Sequence, residues 1–202
     1  MNINDLKKVW EMDKPAVKKD NHGWFFDGNE RMLKKLLNDN MKNIVELGSW
    51  LGSSTRFILN NAKNANVFAV DHWSDDIKDY GNGKGGSSSD PGIEKIGTLW
   101  ETFLVNCWDY QDRLIPVREY TDKGLDVINE LNINVDLVYI DASHGYEDVL
   151  NDINKSLKNF PNATIIGDDW NWGTVQQAVK EVAEREHFKI TVDRNCWKYD
   201  KQ

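Results

Sequence analysis

Three aspartates follow two apolar segments that are typical of buried strands. Asp141 ends the segment 135–141, and Asp168 and Asp169 end the segment that begins at 163. If these segments are neighbouring parallel strands, the three carboxylates converge at one edge of the sheet. Three oxygen ligands suit Mg²⁺ or another hard divalent cation, which would lower the pKa of a substrate hydroxyl. In the structural alternative, Asp141 bonds only to the backbone, and Asp168 or Asp169 only caps the following helix.

A histidine lies close to this group in the sequence. His144 follows Asp141 by three residues, at the point where the strand would end. An imidazole with a pKa near neutrality could take the proton from a substrate hydroxyl. The alternative is a structural histidine at the start of the next helix. His144 and Asp141 are therefore the candidate catalytic residues.

A second candidate site lies in the turn after the first apolar segment, where the sequence is ELGSWLGSST (46–55). Glycines in such a turn let the backbone approach a ligand, and the first N–H groups of a helix can bind polar atoms. Three residues separate Gly48 from Gly52, so the G-x-G-x-x-G spacing of a dinucleotide site is missing. Asp71, at the end of the next apolar segment, could accept both hydroxyls of a ribose. These features favour a nucleoside without a pyrophosphate, such as S-adenosylmethionine, over a purely structural turn.

Four tryptophans follow predicted strand ends, at the edge where a ligand would bind. They are Trp50, Trp73, Trp170 and Trp172. Trp24 precedes the first predicted helix and could close over the site. Flat apolar rings at the mouth of a site can stack on adenine, a sugar face or an aromatic acceptor. We expect one or two of these rings to contact a ligand, because most tryptophans are packing residues.

Short apolar segments alternate with amphipathic ones from residue 43 onward, which predicts strands and helices alternating around a parallel sheet. The predicted strands are 43–48, 66–71, 113–117, 135–141 and 163–168. The predicted helices are 53–62, 97–109, 122–131, 146–159 and 174–186. Two alternating runs on either side of residues 193–195 predict a C-terminal antiparallel hairpin. The fold class is therefore α/β, with a mostly parallel sheet.

Two segments lie outside this alternation. Residues 1–42 precede the first strand, and we expect an N-terminal helical cap with a helix at 33–41, packed on the sheet edge or over the site. Residues 74–92 are rich in Gly, Ser and Asp, which predicts a mobile loop or lid. Residues 43–202 would form the ligand-binding domain, so the chain is a single domain overall.

The composition limits the class of protein. The 202 residues include 25 Lys+Arg and 33 Asp+Glu, a formal net charge of −8, so nucleic acid is an unfavourable partner. The sequence has neither an apolar run long enough to cross a bilayer nor a secretory signal pattern, which favours a cytoplasmic protein with no membrane partner. Cys107 and Cys196 lack metal-ligand spacing and are expected to be buried free thiols.

Five blocks of the sequence resemble class I S-adenosylmethionine-dependent methyltransferases, in the order found in that family. They are ELGSWLGSST, VFAVDHW, FLVNCWDYQDRLIPVR, YIDASHGYEDVLNDI and IIGDDW, within residues 23–186. The similarity is to the group that includes macrocin O-methyltransferase and the cephalosporin hydroxylases. It implies a Rossmann-like, seven-stranded, mostly parallel sheet with helices on both faces and a C-terminal antiparallel hairpin.

The resemblance also implies roles for individual residues. The residues implied to bind S-adenosylmethionine are Glu46, Gly48, Ser49, Gly52, Ser53, Asp71, His72, Trp73, Glu119, Tyr120 and Asp141. Asp141, Asp168 and Asp169 would hold a metal ion, as in relatives that methylate macrolide sugars. The segment 81–92 departs from the relatives, so their substrate-facing loop cannot be carried over.

The expected activity is metal-assisted methylation of a hydroxyl on a sugar, phenolic or other small molecule. Relatives often form homo-oligomers through N-terminal helices, which implies the same possibility here. One alternative is a metal-independent methyltransferase acting on a nitrogen or oxygen acceptor. A second is a module that binds S-adenosylmethionine without turnover. An NAD-dependent oxidoreductase is disfavoured because the third glycine of the fingerprint is missing.

Overall fold

Five apolar runs of the chain form the parallel part of one sheet in the computed structural model, which describes residues 2–74 and 98–201. The strands are β1 (Asn43–Leu47), β2 (Asn66–Asp71), β3 (Leu114–Arg118), β4 (Leu137–Ile140), β5 (Thr164–Gly167), β6 (Lys189–Asp193) and β7 (Cys196–Asp200). Their order is β3-β2-β1-β4-β5-β7-β6. Strands β1 to β5 pair in parallel, and β7 lies antiparallel between β5 and β6. The predicted fold class and hairpin are confirmed.

The helices cover both faces of this sheet. They are α1 (Ile3–Lys7), α2 (Asp27–Leu36), α3 (Ser53–Asn61), α4 (Leu99–Cys107), α5 (Thr121–Asn129), α6 (Tyr146–Asn159) and α7 (Gly173–Glu186), with short 3₁₀ turns after α1 and α4. The last five match the predicted helices to within a few residues. The helix predicted at 33–41 is wrong in its limits, because α2 begins earlier and ends at Leu36. Asn38 ends the helix. Its side-chain amide donates to the Leu36 carbonyl and accepts from the Asn40 N–H, and these two groups would bond to each other if the helix continued.

The central strands are buried on both faces, and their successive side chains pack against different sets of helices. In β2, Val67 and Ala69 pack with α2, α3 and α4 on one face, whereas Phe68 and Val70 pack with α5, α6 and α7 on the other. Successive side chains of a strand point to opposite faces, so a strand covered by helices on both sides must be apolar at nearly every position. Glu46 interrupts this rule in the central strand β1, where it is fully buried.

The segment before β1 attaches to two places on the sheet. Near its start, the Trp10 indole N–H donates to the Leu114 carbonyl at the β3 edge, at 2.9 Å. Farther on, Arg31 of α2 donates to both carboxylate oxygens of Asp193 in the hairpin, at 2.9 and 2.6 Å. A Cβ on Gly28 would lie 2.4 Å from the Asp193 carbonyl oxygen, so α2 and the hairpin are in close contact.

The remaining predictions have mixed outcomes. Cys107 and Cys196 are buried free thiols, as predicted. The predicted lid at 74–92 lies outside the described residues except for Ser74. None of the helices in residues 2–74 and 98–201 is long and apolar enough to span a membrane.

Candidate functional site

The turn after β1 contains two glycines in the left-handed region of backbone conformation. Gly48 has φ +85° and Gly52 has φ +80°. A Cβ on Gly48 would lie 1.9 Å from the Asp141 carbonyl oxygen, and one on Gly52 would lie 2.4 Å from Cys107 Sγ. Both positions need glycine for backbone conformation and for packing. The turn therefore has a structural requirement for glycine that is independent of any ligand.

Glu46 supports this turn from inside the sheet. Its Oε2 accepts hydrogen bonds from the hydroxyls of Ser49, at 2.7 Å, and Thr55, and Ser54 also lies beside the carboxyl group. Burial raises the pKa of Glu46, and these hydroxyls oppose that rise. Ser49 is also buried, whereas Ser53 at the start of α3 is partly exposed. The Glu46 side chain thus ties β1, the turn and α3 together.

Asp71, at the end of β2, holds the same turn from the other side. Its Oδ2 accepts the Trp50 N–H and its Oδ1 accepts the Trp73 N–H, both at 2.9 Å. A carboxylate oxygen can accept more than one hydrogen bond, so these two contacts do not by themselves exclude a ribose hydroxyl. Asp71 therefore lies at the strand end where it was predicted, and its carboxylate has a structural role there.

Four of the residues implied to bind S-adenosylmethionine lie just after β2 and β3, namely His72, Trp73, Glu119 and Tyr120. The His72 and Tyr120 rings stack with centroids 4.9 Å apart, and Tyr120 is 55% exposed. Glu119 is exposed, and its N–H donates to the Asp71 carbonyl. The Trp73 side chain is fully buried, with its indole N–H donating to the Trp50 carbonyl at 2.6 Å. Tyr120 and His72 thus offer ring surface at this edge, whereas Trp73 packs in the core.

The three predicted metal ligands converge at the ends of β4 and β5. Asp141, Asp168 and Asp169 each offer an oxygen, and these three oxygens lie within 4.8 Å of one another. A cavity of about 10 Å³ lies beside them, close to the room that one water molecule needs. Burial and the neighbouring aspartates raise the pKa of Asp141 well above its usual range and that of Asp168 to about 6. A cation would relieve this repulsion, so the donor set fits a hard divalent ion.

Neutral donors surround two of these carboxylates. The hydroxyl of the buried Tyr139 donates to Asp141 Oδ2 at 3.0 Å. Asp168 Oδ2 accepts from the Asn29 amide at 2.6 Å, and Asp168 Oδ1 accepts from the Asn195 amide and from the Asp169 N–H. The prediction that Asp168 or Asp169 only caps a helix is thus too simple, because Asp168 is the centre of a hydrogen-bond network.

His144 is attached to the same cluster. Its Nε2 lies 2.7 Å from Asp169 Oδ2, and its ring stacks on Trp172 with centroids 4.8 Å apart. The hydrogen bond to Asp169 raises the pKa of His144, and partial burial opposes the rise. With Nε2 bonded to a carboxylate, Nδ1 is the nitrogen left to accept a proton. The structure therefore brings both predicted catalytic residues to one place.

Three residues of this site were not predicted from the sequence. Tyr139 precedes Asp141 by two residues on the same strand, so period-two alternation could have indicated that it faces the same side. Asn29 and Asn195 gave no such signal. They lie on α2 and on the hairpin turn, 139 and 27 residues from Asp168 in sequence, and only the folded chain brings them together.

The sheet order, the glycine turn and an acidic residue at the end of β2 define the fold of a class I methyltransferase. A methyltransferase-domain family matches residues 45–170, more than half of the chain. The chain belongs to this family and is an S-adenosylmethionine-dependent methyltransferase. The narrower likeness to the macrocin O-methyltransferase group stays a prediction.

Solved structures of low sequence identity share this fold. They include the O-methyltransferase from Bacillus cereus in complex with SAH, at 16% identity and a TM-score of 0.59, covering 98% of this chain and 90% of that one. Precorrin-6y C5,15-methyltransferase from Geobacter metallireducens has 14% identity, a TM-score of 0.59 and coverage of 92% and 94%. Fibrillarin from Methanococcus jannaschii has 14% identity, a TM-score of 0.54 and coverage of 95% and 86%. No curated protein sequence matches the chain.

Proposed function

We propose that this chain transfers the methyl group of S-adenosylmethionine to a hydroxyl of a small molecule, with a divalent cation held at the acidic cluster. The observation that carries the proposal is the convergence of Asp141, Asp168 and Asp169 within 4.8 Å, with His144 hydrogen-bonded to Asp169. Three carboxylates at one strand edge are costly to keep together without a cation. A cluster of this kind beside a methyl-donor site indicates a place where a hydroxyl is activated.

The donor side of the site is built by the turn after β1 and by the end of β2. Asp71 would accept the ribose hydroxyls, and the backbone of residues 48–52 would lie along the methionine portion. Tyr120, which is 55% exposed at this edge, would contact the adenine, with His72 stacked on it. The fit is supported by the hydrogen bonds through which Glu46 and Asp71 fix the shape of this turn. A preformed turn lowers the entropy cost of binding.

The acceptor side is built by the acidic cluster and His144. A hard divalent cation would lower the pKa of a bound hydroxyl and orient its oxygen. His144 Nδ1 would take the hydroxyl proton, and Asp169 would hold the imidazole in the required orientation and stabilise its protonated form. The residues therefore supply alignment and proton removal, while the sulfonium supplies the reactive methyl group.

Exposed aromatic rings on the N-terminal segment indicate what kind of acceptor fits. Trp24 is 43% exposed and Phe26 is 53% exposed. The Trp24 ring centroid lies 5.8 Å from that of Trp50 in the glycine turn, and Asn29, a few residues later, bonds to Asp168. The segment 24–29 thus runs from the donor turn to the acidic cluster. Rings along this path favour an acceptor with a flat apolar face, such as a phenolic ring or the face of a sugar.

The test is methyl transfer from labelled S-adenosylmethionine to a panel of catechols, phenols and glycosides, with Mg²⁺ or with EDTA. We expect turnover of at least one hydroxyl acceptor with Mg²⁺ and a large loss with EDTA. The double variant Asp168→Asn/Asp169→Asn should lose turnover yet still bind SAH in calorimetry. If chelation and the double variant both leave turnover intact, the metal part of the proposal is wrong.

The contact between His144 and Asp169 favours a second candidate, a metal-independent transferase. At 2.7 Å the pair forms a histidine–carboxylate dyad that could deprotonate an acceptor without a cation. In that case EDTA would not affect turnover, whereas His144→Gln would abolish it. Under the first candidate, both treatments reduce turnover, so the two candidates differ in the response to EDTA.

A further inference from the structure

Asn29 occupies a position in α2 that no catalytic motif indicates. It is fully buried, with 0% of its surface exposed. Its Nδ2 donates to Asp168 Oδ2 at 2.6 Å across 139 residues of sequence. A short hydrogen bond to a carboxylate is stronger than one between neutral groups. Through this hydrogen bond, α2 orients the side chain of Asp168 just after β5.

The two oxygens of Asp168 differ in how many donors they accept. Oδ1 accepts from the Asn195 amide and from the Asp169 N–H, whereas Oδ2 has the single donor Asn29 among the hydrogen bonds of the described residues. Each carboxylate oxygen has about two lone-pair sites. Oδ2 is thus the Asp168 oxygen with a lone pair left for a cation, and Asn29 is the residue that holds it.

The other half of the Asn29 amide supports a role beyond packing. Its Oδ1 is buried and has no hydrogen-bond partner within residues 2–74 and 98–201. A buried carbonyl oxygen without a donor is unfavourable, so an apolar side chain would suit a purely structural position better. An unsatisfied acceptor beside a carboxylate cluster is suited to a water molecule or hydroxyl that arrives with a bound cation.

The backbone of Asn29 is held on both sides. Gly28 approaches the hairpin so closely that a Cβ would lie 2.4 Å from the Asp193 carbonyl oxygen, and Arg31 donates twice to the Asp193 carboxylate. Two neighbours of Asn29 are thus anchored to the hairpin that carries Asn195. Residues from both ends of the chain orient Asp168 together.

We propose that Asn29 is a positioning residue for the acidic cluster, which aligns Asp168 Oδ2 for a divalent cation and accepts a hydrogen bond from that cation's water shell. This inference rests on the proposed metal-assisted function. Helix α2, in the segment before β1, would thus take a direct part in the acidic cluster through Asn29.

The test is calorimetric titration of the full chain with Mn²⁺, comparing wild type with Asn29→Ala and with the similarly shaped Asn29→Leu. Residues that orient a metal ligand typically change metal affinity 10- to 100-fold, so we expect the Mn²⁺ Kd to rise by about that factor in both variants. Asn29→Leu keeps the branching of the side chain at Cγ if Asn29→Ala proves too unstable. Asn195→Ala should have a smaller effect, because Asn195 bonds to Oδ1.

Asn106→Ala is the matched control. Asn106 is also a buried asparagine, and its amide donates to the Asp20 and Leu51 carbonyls at 2.6 and 2.8 Å, away from the acidic cluster. Its loss should lower the melting temperature without changing the Mn²⁺ Kd. Equal Kd values for wild type and both Asn29 variants, or equal weakening by Asn106→Ala, would overturn the role of Asn29 alone. Absence of Mn²⁺ binding by the wild type would overturn both this role and the metal part of the proposed function.

Discussion

The substitution Gly48→Ala tests whether the turn after β1 needs glycine for the fold itself. An alanine at φ +85° pays about 1–2 kcal/mol for the left-handed conformation. Its Cβ would also lie 1.9 Å from the Asp141 carbonyl oxygen, where ordinary contact begins at 3.4 Å. Because Gly48 directly follows β1 and Asp141 directly follows the neighbouring β4, the backbones at these two strand ends must move apart in a close-packed core. Overpacking of this kind costs about 1–3 kcal/mol more, for a total of about 2–5 kcal/mol.

The measurement is urea and thermal unfolding of ligand-free protein, followed by circular dichroism. For a chain of this size, about 2–5 kcal/mol corresponds to a fall in Tm of about 4–20 °C. Gly173→Ala is the matched control, since a Cβ at that position meets no atom within 4 Å, and it should leave Tm unchanged or slightly raised. A free energy of unfolding for Gly48→Ala within 1 kcal/mol of the wild type would refute the packing argument and leave ligand approach as the reason for this glycine.

Three further predictions concern pH, the acceptor and the thiols. Burial raises the pKa of Asp152 to about 7 from 3.8, so its ionisation destabilises the fold as the pH rises through that window. In urea unfolding, Asp152→Asn should be about 2–4 kcal/mol more stable than the wild type at pH 8, and the two proteins should be nearly equal in stability at pH 4. A gain in stability at pH 4 as large as the gain at pH 8 would contradict this prediction. Trp24→Ala should raise the acceptor KM about 10-fold, by loss of ring stacking, and leave the SAH Kd unchanged in calorimetry; an unchanged KM would remove Trp24 from the acceptor site. Burial raises the pKa of Cys107 to about 12 and also raises the pKa of Cys196. A thiol reagent should therefore label neither cysteine in the native protein and both in urea. Rapid labelling of the native protein would contradict this prediction.

Periodicity and strand-end residues were enough to predict the sheet and the acidic cluster. Apolar runs of strand length, separated by amphipathic helices, indicate a parallel sheet, and parallel strands place their carboxyl ends at one edge. Asp141 and Asp168 therefore met as predicted, although 27 residues separate them in the sequence. The α2 limits were wrong because side-chain bonds from Asn38 compete with helix hydrogen bonds.

The contacts of individual side chains at the site were harder to predict from the sequence. Asp71 was predicted as a ribose ligand, yet its carboxylate also accepts two backbone N–H groups of the surrounding turns. Trp73 was predicted at the ligand edge, yet its ring lies in the core. A residue type and its place in a strand indicate the edge to which it belongs, but not the direction in which its side chain turns.

The sequence by itself determined the fold class, the glycine turn and the edge at which the aspartates meet, because these follow from local periodicity and from the direction of parallel strands. Only the tertiary structure decided that Asn29 and Asn195 hold Asp168, and that His144 pairs with Asp169. The two asparagine contacts depend on the packing of α2 and the C-terminal hairpin against the sheet, and the His144–Asp169 contact depends on the loops that follow β4 and β5. No pattern of nearby residues encodes that packing, since the partners come from opposite ends of the chain.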